Sequence, residues 1–404
     1  MTVKERFLKY VKIATPSAMG VDHQPSTECQ FDLARVLKDE MIGMGVSGVE
    51  LQDDCYVTGF VPATPGYEDK PAVGFISHID TVSDFNGYGV NPQVYPDYDG
   101  SAITLCPGRV LDPADFPHLA ELKGMELITT DGTTILGADD KAGIAEILTM
   151  VEYVMANDIP HGKICMAFTP DEEVDGGAAG LDIEKFGADF AYTVDGGANN
   201  TVAYECFNAL TAFVEVTGYS IHPGSSKNKM KNASLIAMEF NGLLPGTQIP
   251  AHTDGREGFF HLTNMEGDVE HAKLTYIIRD HNRETFRVRE ETLRHIEKIL
   301  NEKYGEGAVK LTIEYHYKNM GDLIKEHPEI VDYVKRAIKA CGMEPEERVA
   351  RGGTDGARLT YRGLLCPDVG TGGYAAHGPF EHITVEHMEK QVQVLTEIVR
   401  EIAK

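Results

Sequence analysis

The chain is poor in basic residues, and this shortage limits what it can bind. It has 37 lysines and arginines against 63 aspartates and glutamates, which gives a formal net charge of −26 at pH 7. A field of that sign repels phosphate backbones and anionic lipid headgroups. We therefore expect neither a nucleic acid nor a membrane among its partners, and the acidic surface serves to keep the protein in solution.

Long apolar runs and cysteine pairs are also missing. No stretch approaches the roughly 18 apolar residues that a membrane-spanning helix needs, and the opening MTVKERFLKYV interleaves charged and apolar residues, unlike a secretory signal. The seven cysteines form no CxxC motif, and an odd number argues against a disulfide framework. We therefore expect a cytoplasmic protein with reduced thiols.

The order of predicted elements divides the 404 residues into two domains. Strands and helices alternate in the first half, for example a strand at 72–77 and a helix at 140–156, which is typical of a mixed or parallel α/β sheet. From 208 to 318 the order strand, helix, strand, strand, helix, strand predicts a ferredoxin-like βαββαβ domain. We therefore expect a first domain formed by 1–207 and 319–404, with a second domain at 208–318 inserted into it.

The strand that ends in GFISHIDT carries two polar side chains at its carboxyl end. His78 and Asp80 are two residues apart, so they lie on the same face of a strand. Ligands of open α/β sheets bind at the carboxyl ends of strands. Asp80 can hold one nitrogen of the His78 imidazole while the other nitrogen binds a metal. The alternative is a structural hydrogen bond between the two residues.

Three acidic motifs follow this strand. GADDKAG contains Asp139 and Asp140, FTPDEEV contains Glu172 and Glu173, and TVDGG places Asp195 at the end of another strand. The paired aspartates precede a helix and can serve as an ordinary cap, and the glutamates can belong to an acidic surface loop. Because adjacent side chains diverge, one glutamate can instead bind a metal while the other takes a proton.

A glycine-flanked histidine, His377 in TGGYAAHG, completes the set. By itself such a histidine is usually structural. Two histidines with several carboxylates, however, make up the nitrogen and oxygen ligands that a pair of divalent ions requires. With at least five ligands, one carboxylate must bridge the two ions, and the residues alone do not decide between Asp139 and Asp140.

These motifs in series, together with IHPG and RGGTDGA, resemble the M20 family of dizinc metallopeptidases over essentially the whole chain. The resemblance implies an α/β fold with a mixed-sheet catalytic domain and an inserted lid and dimerisation domain. It implies two Zn²⁺ ions per subunit, one bound by His78 and Asp195 and the other by Glu173 and His377. Asp139 would bridge the ions, with a cis peptide bond after it.

The resemblance also assigns roles around these ions. Asp80 would orient His78, and Glu172 would act as the general base towards water activated by the two ions. His222 in SIHPG would stabilise the oxyanion at the active site of the other subunit, so that the enzyme would need a homodimer. A turn histidine before proline is the alternative for His222.

Two arginines are candidates for binding the substrate. Arg279 in YIIRD and Arg351 in RGGTDGA resemble positions that hold the substrate carboxylate, and each can equally form a structural ion pair. The resemblance as a whole implies a homodimeric aminopeptidase that removes the N-terminal residue from tripeptides, and we expect it in the cytoplasm. The alternatives are another M20 activity, a dipeptidase or an N-acyl amino acid deacylase, and a non-catalytic metal-binding protein. Glu172 favours an enzyme, since a protein that only binds metal does not need an unligated carboxylate beside it.

Overall fold

The computed structural model describes residues 1–174 and 176–404, so Asp175 of the motif FTPDEEVDGG lies outside the described residues. The chain forms two compact units. The first unit contains residues 1–204, 323–348 and 354–404, and the second contains residues 205–322 and 349–353. The predicted second domain, 208–318, lies within the second unit, and the prediction did not include the segment 349–353.

Strands and helices alternate along most of the chain. The strands are β1 Ser47–Leu51, β2 Val57–Val61, β3 Val73–His78, β4 Gln93–Tyr95, β5 Ile103–Cys106, β6 Arg109–Leu111, β7 Leu127–Thr129, β8 Ile164–Thr169, β9 Phe190–Val194, β10 Thr201–Glu205, β11 Asn208–Thr217, β12 Phe259–Gly267, β13 His271–Asp280, β14 Val309–Tyr317, β15 Glu346–Val349, β16 Asp368–Val369 and β17 His382–Thr384. The α-helices are α1 Val3–Tyr10, α2 Gln30–Met44, α3 Ala138–Ala156, α4 Ile183–Phe186, α5 Ala233–Gly242, α6 Arg283–Tyr304, α7 Gly321–Ile324, α8 Pro328–Ala340, α9 Asp355–Tyr361 and α10 Val385–Ala403.

An eight-stranded mixed sheet forms the centre of the first unit. Its strand order is β1-β2-β8-β3-β9-β16-β10-β15. The middle strands β8, β3 and β9 run parallel to one another, whereas β1, β2 and β10 pair in antiparallel fashion with their neighbours. Two smaller sheets, β17-β7-β4 and β5-β6, complete this unit. The predicted α/β class with a mixed sheet is confirmed.

The middle strands are apolar because both of their faces are covered. Every residue of β3, β8 and β9 is buried, and parallel strands buried in this way read as continuous apolar runs rather than alternating ones. Helix α3 packs on β3 and β9 and buries most of its residues. Helix α10 buries the stripe Val385, Met388, Leu395, Val399 and Ile402, whose spacing of three, four or seven residues is that of one helix face.

The second unit has the predicted order β11, α5, β12, β13, α6, β14. Its four strands form an antiparallel sheet in the order β12-β13-β11-β14. Along β13 buried residues alternate with exposed or half-buried ones, so only one face of the strand enters the core. That core combines the inner face of the sheet with Ile236 and Phe240 of α5 and with Leu293, Ile296 and Leu300 of α6.

In the described part of the chain, no helix combines the length and the apolar character that crossing a membrane requires.

Candidate metal centre

The carboxyl ends of three parallel strands meet at one edge of the large sheet. Strand β3 ends at His78, the chain after β8 leads to Glu172 and Glu173, and β9 is followed by Asp195. Because β3 lies between β8 and β9, these side chains reach the same edge. Helix α3 begins beside them, with Asp139 as its second residue.

Asp139 lies between two histidines from distant parts of the chain. Its Oδ1 is 3.0 Å from Nε2 of His78, and its Oδ2 is 3.1 Å from Nε2 of His377. Nε2 of His377 is also 3.2 Å from Oε1 of Glu173. Two groups of potential ligand atoms result, each with all its atoms within 4.8 Å of one another: His78, Asp139 and Asp195, and Asp139, Glu173 and His377. Asp139 belongs to both groups.

The neighbouring aspartate has a different environment. The carboxylate of Asp140 accepts hydrogen bonds from the hydroxyl of Ser77 and from the backbone N–H of His78, the latter at 3.1 Å. The peptide bond between Asp139 and Asp140 is cis. The structure therefore places Asp139, and not Asp140, between the two histidines, while its role as a bridging ligand stays a prediction.

The hydrogen-bond partners of His78 define which nitrogen can bind a metal. Nδ1 lies 3.0 Å from the backbone carbonyl oxygen of Asp80, and since a carbonyl only accepts, Nδ1 is the donor. In the neutral ring Nε2 then presents a lone pair towards Oδ1 of Asp139, so a proton or a cation has to lie between these two atoms. A cation bound at about 2.0–2.2 Å from each atom suits such a contact.

The charges of the site also fit a pair of divalent cations. Burial raises the pKa of Asp195 well above its ordinary value, and the neighbouring Asp139 carboxylate raises it further. Burial likewise raises the pKa of Glu173, and the Asp139 carboxylate again adds to this. For Asp139, burial is outweighed by hydrogen bonds from His377 and His78, which hold its pKa below the usual range. Crowded acidic groups of this kind cost free energy unless cations compensate them, and imidazole and carboxylate are suitable ligands for Zn²⁺ and similar ions.

Asp80 connects the end of β3 to the turn that carries the two glutamates. It is fully buried, and its two oxygens accept hydrogen bonds from the backbone N–H groups of Glu172 at 2.9 Å and Glu173 at 3.2 Å. Its carboxylate is also 3.4 Å from Nδ1 of His78. The Glu172 side chain belongs to neither group of potential ligand atoms, and burial raises its pKa well above the ordinary value.

Two non-glycine residues of the site have left-handed backbone conformations. Asp171, which precedes the glutamates, has φ of 60°, and His377 has φ of 66°. Asp171 is held by hydrogen bonds from Gln30 Nε2 at 2.6 Å and from the backbone N–H of Ser26 at 2.7 Å. Such conformations persist where the surroundings enforce them, and they concentrate at functional sites.

The remaining predicted site residues belong to the second unit. His222 is exposed and precedes a short 3₁₀ turn, where its Nδ1 accepts a hydrogen bond from Gly224 N–H at 3.1 Å. Arg279 donates to the carbonyl oxygens of Leu210 and Ile278 at 3.3 and 3.0 Å. These contacts fix the conformations that the two side chains have in this unit, and their predicted roles in catalysis and substrate binding stay predictions.

Arg351 also has partners inside the second unit. It donates to the carbonyl oxygen of Gly255 at 2.7 Å, and its guanidinium lies over the rings of Phe207 and Phe259. A guanidinium that is stacked and hydrogen-bonded in this way holds its loop in place. Its predicted contact with a substrate carboxylate stays a prediction.

Sequence reasoning missed Glu381 and a cavity beside Asp139. Glu381 is buried and accepts hydrogen bonds from three backbone N–H groups of the segment that leads into α3. The cavity measures about 460 Å³ and is lined by Ala138, Asp139, Gly196, Gly197, Ala198, Arg348, Thr371, Gly373, Tyr374, Ala375, Ala376 and Glu381. That volume is in the usual range for a small-ligand site, about 300–1,000 Å³. The sequence offers only one signal for Glu381, which is the presence of an acidic residue in HGPFEH. The hydrogen-bond partners of Glu381 are backbone N–H groups, which no sequence motif reveals.

Comparison with known proteins identifies the class to which this fold and site belong. The model of peptidase family M20/M25/M40 matches residues 130–401, which is more than half of the chain. The chain therefore belongs to peptidase family M20/M25/M40, and it is a hydrolase that acts on peptides.

Within this family the chain is similar to proteins named peptidase T. It is 47% identical over 399 residues to peptidase T of Clostridium perfringens, which covers 98% of each chain. The solved structure of the aminopeptidase PepT from Bacillus cereus has a TM-score of 0.80 at 22% identity, over 100% of this chain and 98% of that chain. The YXEP protein of Bacillus subtilis, described as a dinuclear metal binding peptidase of the M20 family, has a TM-score of 0.64 at 13% identity, over 98% of this chain and 97% of that chain. The two structural likenesses concern the fold.

Proposed function

We propose that the protein is an aminopeptidase that removes the N-terminal residue from tripeptides with the help of two zinc ions per subunit. Its similarity to proteins named peptidase T supports the substrate class. One observation carries the metal centre: the two oxygens of Asp139 face Nε2 atoms of different histidines, at 3.0 and 3.1 Å. A single carboxylate can therefore belong to both metal positions.

The ligand roles follow from the two groups of atoms. His78 and Asp195 hold one ion, Glu173 and His377 hold the other, and Asp139 belongs to both. When bound, the two ions supply Lewis acidity to the scissile carbonyl and to the attacking water.

Glu172 is the general base in this proposal. Its side chain is outside both groups of ligand atoms, so its carboxylate can exchange a proton with water beside the metal positions. Asp80 holds the backbone of Glu172 and contacts His78 Nδ1, so one buried carboxylate orients both the base and a ligand. Glu172 takes a proton from the attacking water and delivers it to the leaving amine.

Residues of the second unit complete the proposal. His222 stabilises the oxyanion at the active site of the other subunit in a homodimer, and Arg279 and Arg351 are candidates for binding the substrate carboxylate. The exposed position of His222 supports this role in oxyanion stabilisation, because an exposed side chain is available to a second subunit. A cytoplasmic location remains the expectation from the cysteine pattern.

A series of substrates tests the proposed specificity. Purified protein is incubated with di-, tri- and tetrapeptides built from the same amino acid, and with N-acetyl amino acids. The value of kcat/KM is measured for each substrate. We expect the tripeptides to have the highest value. Preference for a dipeptide or an N-acetyl amino acid would replace this proposal with one of the other M20 activities, and no hydrolysis of any of them by metal-loaded protein would indicate a metal-binding protein without catalysis.

Metal content tests the shared role of Asp139. We expect two zinc ions per chain in protein purified without added metal, measured by inductively coupled plasma mass spectrometry. Asp139→Ala removes a ligand from both positions, so both ions are expected to be lost. Asp32→Asn is the matched control, since the Asp32 side chain is 66% exposed and belongs to neither group. Full zinc content in Asp139→Ala would contradict the bridging role.

A further inference from the structure

Glu381 makes three hydrogen bonds to one short backbone segment. Its Oε2 accepts from the N–H groups of Leu136 and Gly137, both at 2.7 Å, and its Oε1 accepts from the N–H of Asp139 at 3.0 Å. The residue is only 2% exposed. Both oxygens of a buried carboxylate are thus directed at the backbone that carries Asp139.

These bonds lie at the entry to helix α3, where Asp139 and Asp140 have non-helical backbone angles. Helix α3 begins at Ala138, and its N-cap residue is Gly137, which has φ of 77° and no side chain that can accept a hydrogen bond. The first N–H groups of a helix have no partner within the helix, and the positive end of the helix dipole favours a carboxylate there. Glu381 supplies that carboxylate from a segment 242 residues away from Asp139 in sequence.

The segment that contains Glu381 also carries His377, four residues earlier in HGPFE. The side chain of His377 itself is 46% exposed, so its contact with Asp139 is poorly shielded from water. The bonds made by Glu381 instead join its buried carboxylate to the backbone of the segment that carries Asp139. They therefore define the position of the Asp139 backbone relative to the segment that carries His377.

We propose that Glu381 is a positioning residue for the metal centre. It fixes the positions of Asp139 and His377 relative to each other before a metal binds. This inference rests on the proposed metal-binding role of those two residues. Groups that orient metal ligands without touching the metal typically change metal affinity or activity by about 10–100-fold when they are replaced. We expect an effect of that size on the dissociation constant of the metal.

Two substitutions at Glu381 separate this role from simple support of α3. Glu381→Gln keeps the size but turns one acceptor into an N–H donor that faces a backbone N–H. Glu381→Asp keeps the charge but withdraws the carboxylate by one C–C bond, about 1.5 Å. Glu146→Gln is the matched control, because Glu146 lies in the same helix and is fully buried, and its oxygens have no hydrogen-bond partner among the described residues.

The experiment is a titration of the metal-free proteins with Co²⁺. Binding is followed by the visible absorption of the bound ion and by competition with a chelator, and thermal unfolding of the metal-free proteins is recorded alongside. Both Glu381 variants are expected to bind Co²⁺ about 10–100-fold more weakly and with an altered spectrum. Glu146→Gln is expected to match the wild type in affinity and spectrum.

The outcomes distinguish the two proposals. If the wild type fails to bind two equivalents of Co²⁺, the proposed metal centre is wrong. If it binds them and the Glu381 variants have the same affinity and spectrum, with only a lower unfolding temperature, the positioning role is wrong and Glu381 merely stabilises α3.

A measurement on the unmodified protein covers the case in which the Glu381 variants do not fold. Hydrogen exchange of the backbone amides of Leu136, Gly137 and Asp139 is followed in the metal-free wild type. We expect slow exchange at these amides before any metal is added, since Glu381 already holds them. Fast exchange that becomes slow only after Co²⁺ binds would overturn the proposal.

Discussion

Strands β3 and β13 show two ways in which a strand can carry polar residues. β3 is buried along its whole length, and its polar ligand candidate His78 is its last residue. β13 alternates between the core and the outer face of its sheet, and polar residues such as Thr275 and Arg279 occupy positions on the outer face. A polar residue is therefore informative at the end of β3, whereas on β13 it is what an antiparallel strand with one open face requires.

This difference explains which candidate site residues the sequence pattern could suggest. At the end of a buried strand, a histidine and a carboxylate have few structural reasons to be present, so they point to chemistry. On β13 the structural explanation is sufficient, and the contacts of Arg279 with two carbonyl oxygens agree with it. The following predictions test the comparison, beginning with the largest expected effect.

Replacing the proposed base should have the largest effect. Glu172→Gln removes the proton acceptor at the sheet edge, and we expect kcat on a tripeptide to fall by about 10²–10⁴-fold. Metal content should stay unchanged, because Glu172 is outside both ligand groups. Steady-state kinetics with metal analysis of the same sample checks this. Turnover at the native rate would show that the proton goes to another group.

Core substitutions test the different burial of the two strands. In β3 the neighbours Phe75 and Ile76 are both buried, so Phe75→Ala and Ile76→Ala should each lower the free energy of unfolding by about 2–5 kcal/mol. Of the neighbours Ile277 and Ile278 in β13, only Ile278 faces the core, so Ile278→Ala should cost about as much, and Ile277→Ala clearly less. Urea unfolding of the four variants provides the values. Equal losses at Ile277 and Ile278 would contradict the one-sided burial of β13.

His382, the first residue of β17, should make the stability of the protein depend on pH. His382 donates from Nδ1 to the carbonyl oxygen of Phe380 at 2.7 Å, and its Nε2 faces Nε2 of His118 at 2.9 Å. Burial lowers the pKa of His382 to about 4. The unfolded chain, with an ordinary pKa of about 6.5, binds this proton first, so stability is lost as the pH falls from about 6.5 to about 4.

For one group this loss amounts to about 1.4 kcal/mol per pH unit within that window. Urea unfolding of the metal-free protein between pH 7 and pH 4.5 measures it. In His382→Gln the side chain still has a donor and an acceptor but does not titrate. The free energy of unfolding of this variant should therefore fall less steeply as the pH falls, by about 1.4 kcal/mol per pH unit. Identical slopes for the variant and the wild type would show that His382 is not held neutral.

The cap of α6 should give the smallest effect. The side chain of Asn282 accepts hydrogen bonds from the N–H groups of Glu284 at 2.8 Å and Thr285 at 3.1 Å. Asn282→Ala leaves these groups to water and should lower the free energy of unfolding by about 1 kcal/mol. Asn282→Asp can still accept both bonds and serves as the control. A larger loss in Asn282→Ala than in Ile278→Ala would reverse the proposed order of effects.

Much of the architecture could be predicted because it depends on local patterns. The apolar run before His78 and the helical spacing after Asp140 predict the central strand and helix of the first unit. In the second unit the sequence of six elements follows from alternation and periodicity alone. The three-residue strands β4, β6, β7 and β17 could not be predicted, because segments of this length have no periodicity and form only where a neighbouring strand is available.

His78, Asp139 and Asp195 were accessible from the sequence as metal ligand candidates because each stands at the end of an element, and Glu173 and His377 because they belong to motifs that resemble those of the M20 family. Glu381 was not, since its partners are backbone N–H groups that every residue except proline possesses. The contacts of Arg351 with a carbonyl oxygen and two aromatic rings could not be predicted either, because they depend on the conformation of a loop that no sequence pattern specifies. The choice between Asp139 and Asp140 came from the resemblance to the M20 family and not from the residues themselves, because both have the same side chain.

The insertion of the second unit into the first has a consequence for synthesis of the protein. Asp139 and His377 are separated by 238 positions, and the entire βαββαβ segment lies between them. A growing polypeptide that has just finished the second unit still lacks His377, one of the proposed ligands. In the proposed mechanism, peptide hydrolysis can therefore begin only after the segment that carries His377 has been synthesised and has folded.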